Sequence, residues 1–132
     1  MTILDHLSWV SVLVATAVGL VCVALGGVVT TGVFRLVDRD AGGHALTGAG
    51  DLLRGGTWVG ALERIAVFTT LLLGWPEGIA VVLAIKGLGR YADLKSPNGA
   101  AGERFIIGTF TSLLTACLGA GVALWLAAVV TP

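Results

Sequence analysis

Two apolar segments separated by a five-residue break decide the fold of this chain. They lie within residues 58–91, which read WVGALERIAVFTTLLLGWPEGIAVVLAIKGLGRY. Proline is tolerated at the first position of a helix, where its missing N–H is not needed, and a neighbouring glutamate suits the positive end of the helix dipole. Pro76-Glu77 therefore predicts a helix start, with helices over about 58–73 and 76–91 joined by a tight turn. The alternative is one kinked helix across the whole segment.

Two longer apolar segments flank this pair. The first, over about 7–34, contains no charged residue, and the second covers about 102–130. A helix needs about 20 apolar residues to cross the hydrocarbon core of a bilayer, and both segments are long enough. We interpret the first as an uncleaved span rather than a signal peptide, because no Lys or Arg precedes it. The polar, glycine-rich residues 35–57 and residues 92–101 are expected to form water-facing connections.

The composition agrees with a membrane protein. Of the 132 residues, 56% are hydrophobic and 12% are charged, whereas soluble domains carry roughly a quarter charged residues. Eight basic residues balance eight acidic ones, so we expect no nucleic-acid partner. The prediction is an all-α polytopic membrane protein with one domain over residues 1–132, in which four transmembrane helices include two shorter central ones that form a tight hairpin.

The basic residues indicate an orientation, because short cytoplasmic connections of membrane proteins are enriched in Lys and Arg. Four alternating helices place all of them on one side, whereas a single kinked span would place four on each side. They are Arg35, Arg39, Arg54, Arg64, Lys86, Arg90, Lys95 and Arg104. We therefore expect both connections in the cytoplasm of a bacterial cell, with both termini outside the inner membrane. So uneven a distribution disfavours antiparallel homodimers, and any homo-oligomer is expected to be parallel.

Charged residues within or beside the spans form the main candidate site, because such residues are costly in a membrane and are usually paired or functional. Glu63 and Lys86 lie at nearly equal distances along adjacent antiparallel helices from their joining turn, which predicts an ion pair. The wider predicted cluster contains Glu63, Arg64, Lys86, Arg90, Glu103 and Arg104. It has two interpretations: paired and snorkelling charges that set helix register, or a site for an anionic head group or solute.

The last helix carries a broad face of small residues. The face includes Gly108, Ser112, Ala116, Gly119 and Ala120. Small residues let helix backbones approach closely in a bilayer. We expect this face to pack either inside the bundle or against a second copy of the chain. The first helix carries a matching surface, formed by Gly19, Gly26, Gly27 and Thr30.

Other candidate chemistry is weak. Cys22 and Cys117 lie in mid-span without a Cys-x-x-Cys pattern, and His6 and His44 are expected on opposite sides of the membrane. Neither pair indicates a disulfide or a metal site. No histidine is placed to activate a serine nucleophile. We therefore expect no metal, no cofactor and no catalytic activity.

A pattern in the second half of the chain resembles a family of small, uncharacterised bacterial and phage membrane proteins. It consists of Leu62-Glu63-Arg64, Ala84-Ile85-Lys86 with Arg90, then Glu103-Arg104-Phe105-Ile106-Ile107-Gly108-Thr109 and Ser112. The similarity covers roughly residues 61–114. The resemblance implies that the ionic positions belong together. It implies no activity, because that family has none established.

Two functional hypotheses follow. The first is a self-associating protein of the lipid bilayer that binds or moves a small polar or anionic solute through the ionic cluster, along a path between protomers. The second is a non-catalytic accessory subunit that scaffolds a larger membrane protein. An enzyme acting on lipid head groups is the least favoured, because the acidic residues are few and matched by bases.

Overall fold

The computed structural model describes residues 8–40, 49–89, 91, 95 and 99–130. Within these ranges the chain forms only helices, with no strand. The helices are α1 (Trp9–Asp40), α2 (Ala49–Leu72), α3 (Gly78–Gly89) and α4 (Gly99–Val130). The predicted all-α architecture, with two shorter helices in the middle of the chain, is confirmed.

The helices extend further at one end of the bundle than predicted. α1 continues to Asp40 and α2 begins at Ala49, so helix covers 35–40 and 49–57 of the connection predicted over 35–57. Likewise α4 begins at Gly99 rather than at 102. The predicted bounds were wrong because each predicted helix was limited to the apolar part of its sequence. A helix nucleated by packing instead propagates at little cost per residue into polar sequence.

Ser8 and Ser11 set the start of α1 at Trp9 instead of 7. The Ser8 Oγ accepts a hydrogen bond from the Ser11 N–H (3.2 Å), and the Ser11 Oγ accepts one from the Ser8 N–H (3.0 Å). This reciprocal pair is a capping box in which serine takes the place of the usual glutamate. Ser11 is fully buried, and its hydroxyl donates to the Ser8 carbonyl. Both serines therefore have a structural role.

A glycine cap ends α2 and starts the hairpin. Gly74 has a φ of 72°, and its N–H donates to the Leu71 carbonyl (3.1 Å). The Trp75 N–H donates to the Thr70 carbonyl (2.8 Å). These bonds define a Schellman motif, in which the residue in the left-handed region is usually glycine. The predicted tight turn is therefore present and is built around Gly74.

The predicted helix start at Pro76-Glu77 is two residues early. α3 begins at Gly78, because the carbonyls of Pro76 and Glu77 first accept turn hydrogen bonds from the N–H groups of Ile79 and Ala80. These bonds span three residues and form a tighter turn than an α-helix does. Proline thus lies in the turn that leads into the helix.

α1 and α4 form the most extensive interface and are antiparallel. A Cβ added at Gly119 would meet the Cys22 Sγ at 2.5 Å, and one at Gly108 would meet the Phe34 ring at 2.9 Å. Other small residues of α4 are buried: Ser112, Ala116, Ala120, Ala123 and Ala127. The small-residue face therefore packs inside the bundle. The alternative of a seam between two copies is wrong for this face, because α1 of the same chain covers it.

The glycines of α1 contact α2 rather than the small face of α4. A Cβ at Gly19 would meet the Phe68 ring at 3.0 Å, and the side chain of Arg64 lies directly against Gly26. Residue numbers fall along α1 as they rise along α2, so these helices are also antiparallel. The predicted partner surface is thus occupied by two large α2 side chains.

α3 packs mainly against α2, at the edge of the core formed by α1, α2 and α4. A Cβ at Gly78 would meet the Thr70 side chain, and Lys86 meets Glu63, so α2 and α3 are antiparallel. Much of the remaining surface of α3 is apolar and exposed, including Ile85 and Leu88.

Among the described residues, two helices are long and apolar enough to cross a membrane. The qualifying spans are Trp9–Val37 and Gly102–Val130, each of 29 residues. α3 has 12 residues and is about 18 Å long, short of the roughly 30 Å of a hydrocarbon core. α2 has 24 residues but includes charged positions. The finer expectation of four transmembrane helices stays a prediction.

Candidate functional site

Glu63 and Lys86 form the predicted ion pair. The Lys86 Nζ donates to the Glu63 Oε2 at 2.5 Å, and the side chains of Lys86 and Glu63 are 16% and 14% exposed. The short turn between α2 and α3 holds the helices side by side, which brings the two positions to the same height. Because the pair is largely shielded from water, its two charges interact more strongly than those of a surface pair.

A second contact joins Lys86 to α4. Its Nζ lies 5.5 Å from the centroid of the Phe105 ring, within the range of a cation–π interaction. Lys86 therefore connects α3 both to α2 and to α4.

Arg64 is the most deeply buried charged side chain among those described, at 5% exposed. Its Nη1 donates to the Ser112 Oγ at 3.3 Å, and its Cδ and Nε lie against Gly26. Within the described parts of the chain, no carboxylate lies within ion-pairing distance of the guanidinium. Among the described residues, Arg64 is thus a buried cation without a paired anion.

Three buried polar atoms at this point have no hydrogen-bond partner among the residues described. They are the Glu63 Oε1, the Arg64 Nε and the Thr109 Oγ1. Buried polar groups are nearly always hydrogen-bonded in proteins. The hydroxyls of Thr111 and Thr115, on the same helix as Thr109, donate to carbonyls of that helix. The Thr109 hydroxyl therefore differs from those of Thr111 and Thr115, because it makes no hydrogen bond to a carbonyl of its own helix.

These polar groups line a small cavity between α2, α3 and α4. Its lining consists of Glu63, Arg64, Val67, Val82, Leu83, Lys86, Thr109, Ser112 and Leu113. The cavity is partly open, and the space inside it, about 10 Å³, is that of one water molecule. One carboxylate and two cations surround it, together with apolar side chains. The site therefore carries a surplus positive charge in a confined space.

The predicted cluster of two acids and four bases stays a prediction as a whole, because only three of its members line this cavity. The Arg104 guanidinium lies over the Phe34 ring of α1, 5.8 Å from its centroid, and Glu103 is exposed. Neither lines the cavity. Arg104 is eight residues from Ser112, which corresponds to about 12 Å along α4. Arg90 lies outside the described residues.

The structure thus brings together Glu63, Arg64 and Lys86 of the predicted cluster and adds Ser112 and Thr109. Ser112 was expected only as a packing residue, and Thr109 was not predicted to belong to the site. One signal was available in the sequence. Adjacent helical residues point about 100° apart, so with Glu63 directed at α3, Arg64 has to point toward a different neighbouring helix.

Other candidate ligands do not assemble. Cys22 and Cys117 are free thiols, and the Cys22 Sγ donates to the Thr115 carbonyl (3.4 Å). No group of three or more His, Cys, Asp or Glu able to hold a metal occurs in the described ranges. His6 and His44 lie outside those ranges.

Comparisons of the chain with protein-family models, with curated proteins and with solved structures gave no match. The resemblance to small bacterial and phage membrane proteins therefore stays a prediction. Function has to be inferred from the geometry of the site itself.

Proposed function

We propose that this chain is a small integral membrane protein that binds a small polar or anionic solute at the site formed by Glu63, Arg64 and Lys86. One observation carries the proposal: Arg64 is 5% exposed and has no carboxylate partner in the described part of the chain. Burying a charge costs several kcal/mol unless it is compensated. Charged residues retained inside membrane proteins are usually paired or functional. A bound anion or polar solute would provide the missing compensation.

The proposed topology has all four helices in the bacterial inner membrane, with the charged end of the bundle in the cytoplasm and both termini outside. The antiparallel order places the start of α1, the α2–α3 turn and the end of α4 at one end of the bundle. That end contains no Lys or Arg. Three exposed tryptophans lie toward it, Trp9, Trp75 and Trp125, and tryptophan is typical of membrane interfaces.

Single cysteines test this topology in a chain whose Cys22 and Cys117 are replaced by alanine. A cysteine at Glu77, in the exposed α2–α3 turn, should react with an impermeant maleimide added outside the inner membrane. A cysteine at Lys95, also exposed, should react only after the membrane is opened. Equal labelling of either position from both sides would contradict a single orientation.

The proposal includes self-association of the chain. The contact between copies has to use a surface other than the small-residue face of α4, because α1 covers that face. The outer face of α4 carries an open groove, with Cys117, Gly121 and Trp125 among its lining residues. We propose parallel association along this face. Mild oxidation in membranes should then give a disulfide-linked dimer that Cys117→Ala abolishes and Cys22→Ala preserves. Absence of any dimer in the unaltered chain would argue against this contact.

A solute screen tests binding at the site. The purified protein in lipid nanodiscs should unfold at a higher temperature with a small anion or polar solute. Arg64→Met should abolish that increase, whereas Arg35→Met, on the exposed charged end of α1, should preserve it. Removing a buried, unpaired charge need not destabilise the fold, so the Arg64 variant is a usable test. A screen in which no solute raises the unfolding temperature would contradict the proposal.

The second candidate is a non-catalytic accessory subunit of a larger membrane complex. It is favoured by α3, which has only 12 residues, packs mainly on α2 and leaves Ile85 and Leu88 exposed. A larger protein seated on α3 would cover this face. Deletion of the chain should then lower the abundance of that complex, and unchanged abundance of every membrane complex would exclude this function. Neither candidate assigns a reaction, a metal or a cofactor to the chain.

A further inference from the structure

We infer that the site between α2, α3 and α4 takes a single monatomic anion of halide size, held by the Arg64 guanidinium and the Thr109 hydroxyl. The inference builds on the proposed function and names the class of solute.

The charges around the cavity favour an anion over a neutral ligand. Lys86 pairs with the Glu63 Oε2, which leaves the Arg64 charge without a paired anion among the described side chains. A water molecule would satisfy hydrogen bonds but would leave this charge uncompensated in an apolar interior. One bound anion compensates it, because opposite charges interact strongly where water is excluded.

The hydrogen-bond donors favour the same ligand. The Arg64 Nε and the Thr109 hydroxyl are buried and have no partner in the described residues. Both can donate, the first as part of a guanidinium and the second as a hydroxyl with a rotatable hydrogen. They come from α2 and α4, whereas Glu63 is held toward α3 by Lys86. Arg64 and Thr109 both line the cavity, as does Glu63, whose Oε1 also has no partner among the described residues. The anion is assigned to the side of the two donors, because the Glu63 carboxylate repels it.

The size of the cavity decides between monatomic and polyatomic anions. A space of about 10 Å³ corresponds to one water molecule. Phosphate, sulfate and carboxylate metabolites need several times that room, whereas a monatomic anion such as chloride comes closest to it. The apolar side chains of Val67, Val82 and Leu113 complete the lining. Such walls suit an anion that sheds its hydration shell readily.

The test is halide-dependent stability of the whole chain in nanodiscs of uncharged lipid. The unfolding temperature is measured in sodium gluconate as chloride, bromide or sulfate is added at constant ionic strength. We expect a saturable increase with chloride and bromide and none with sulfate. The constant ionic strength separates binding from general screening of charges.

A pair of threonine variants links the response to the site. Thr109→Val removes the hydroxyl without changing the shape of the side chain, and it should fold because the lost group is unpaired. It should weaken the apparent halide affinity about tenfold or more, since hydrogen bonds to charged groups contribute about 1.5–3 kcal/mol. Thr111→Val is the matched control, because its hydroxyl donates to the Ile107 carbonyl of its own helix. The control should keep the full halide response.

Two results would overturn the inference: no halide response in the unaltered chain, or the same response in Thr109→Val. If a larger solute stabilises the chain in an Arg64-dependent manner and halides do not, the halide inference fails and the proposed function stands. If neither halides nor any other solute stabilise the chain, both fail.

Discussion

Arg64 of α2 lies so close to Gly26 of α1 that a Cβ at position 26 would collide with the Arg64 Cδ and would lie 2.7 Å from its Nε. Glycine at this position lets a guanidinium enter the centre of an otherwise apolar bundle. The arginine then reaches Ser112 on the far side, where its Nη1 donates to the hydroxyl. The contact between Gly26 and Arg64 thus positions the charged group on which the proposed site depends.

A methyl group at position 26 should destabilise the bundle. Gly26→Ala forces Arg64 or the α1–α2 spacing to shift, and overpacking of this kind costs about 1–3 kcal/mol. Gly32→Ala on the same helix is the matched control, because a Cβ there meets nothing within 4 Å. The free energy of unfolding of both variants, measured by denaturant titration in detergent, checks this prediction. Equal stability of the two variants would show that Arg64 does not occupy this position.

The Glu63–Lys86 pair should show strong thermodynamic coupling. Lys86→Met leaves a largely buried carboxylate without its partner, and breaking a buried pair in this way costs about 3–5 kcal/mol. The double variant with Glu63→Gln should recover most of that loss, because no charge of the pair remains. A double-mutant cycle on the free energy of unfolding measures the coupling. Additive effects of the two substitutions would mean that the pair does not form in the membrane.

A methyl group added in the α1–α4 interface should also destabilise the fold, and a second glycine of α4 provides the control. A Cβ at Gly119 would lie 2.5 Å from the Cys22 Sγ, whereas a Cβ at Gly121 meets nothing within 4 Å. Gly119→Ala should therefore destabilise the fold by about 1–3 kcal/mol, and Gly121→Ala should not. Combining Gly119→Ala with Cys22→Ala should recover part of the loss, because the sulfur is removed. The unfolding temperatures of the three variants check this prediction. If Cys22→Ala does not recover any stability, the Cys22 sulfur is not the atom that the added methyl group meets.

The hairpin depends on the conformation of Gly74. Its φ of 72° lies in the left-handed region, which costs most L-residues roughly 1–2 kcal/mol. Gly74→Ala should lower the free energy of unfolding by about that amount, whereas Gly74→Asn should cost less, because asparagine tolerates this region. Both variants remove the glycine, so the difference between their free energies of unfolding reports the cost of the left-handed backbone conformation. If alanine and asparagine are tolerated equally, the cap does not limit the stability of the hairpin.

The local sequence pattern was sufficient to predict the number of helices and the hairpin. The lengths of the apolar segments and the GWPEG break required only the preferences of proline, glycine and apolar side chains. The Glu63–Lys86 pair was predictable for the same reason. Two helices joined by a tight turn must lie side by side, so two residues equally far from the turn must lie close together.

The sequence by itself determined what depends on neighbours along the chain, and only the tertiary structure decided which faces of distant helices meet. Small residues on α4 can pack equally well on the same chain or on another copy, and only the assembled bundle shows that α1 covers them. Arg64 is buried because Gly26 of α1 and Ser112 of α4 lie beside it, and no local pattern relates these positions to Arg64. Arg104 misses the cavity because it lies about two helical turns from Ser112. The rotation of each helix about its axis results from the packing of all of them together, which a one-dimensional pattern does not specify.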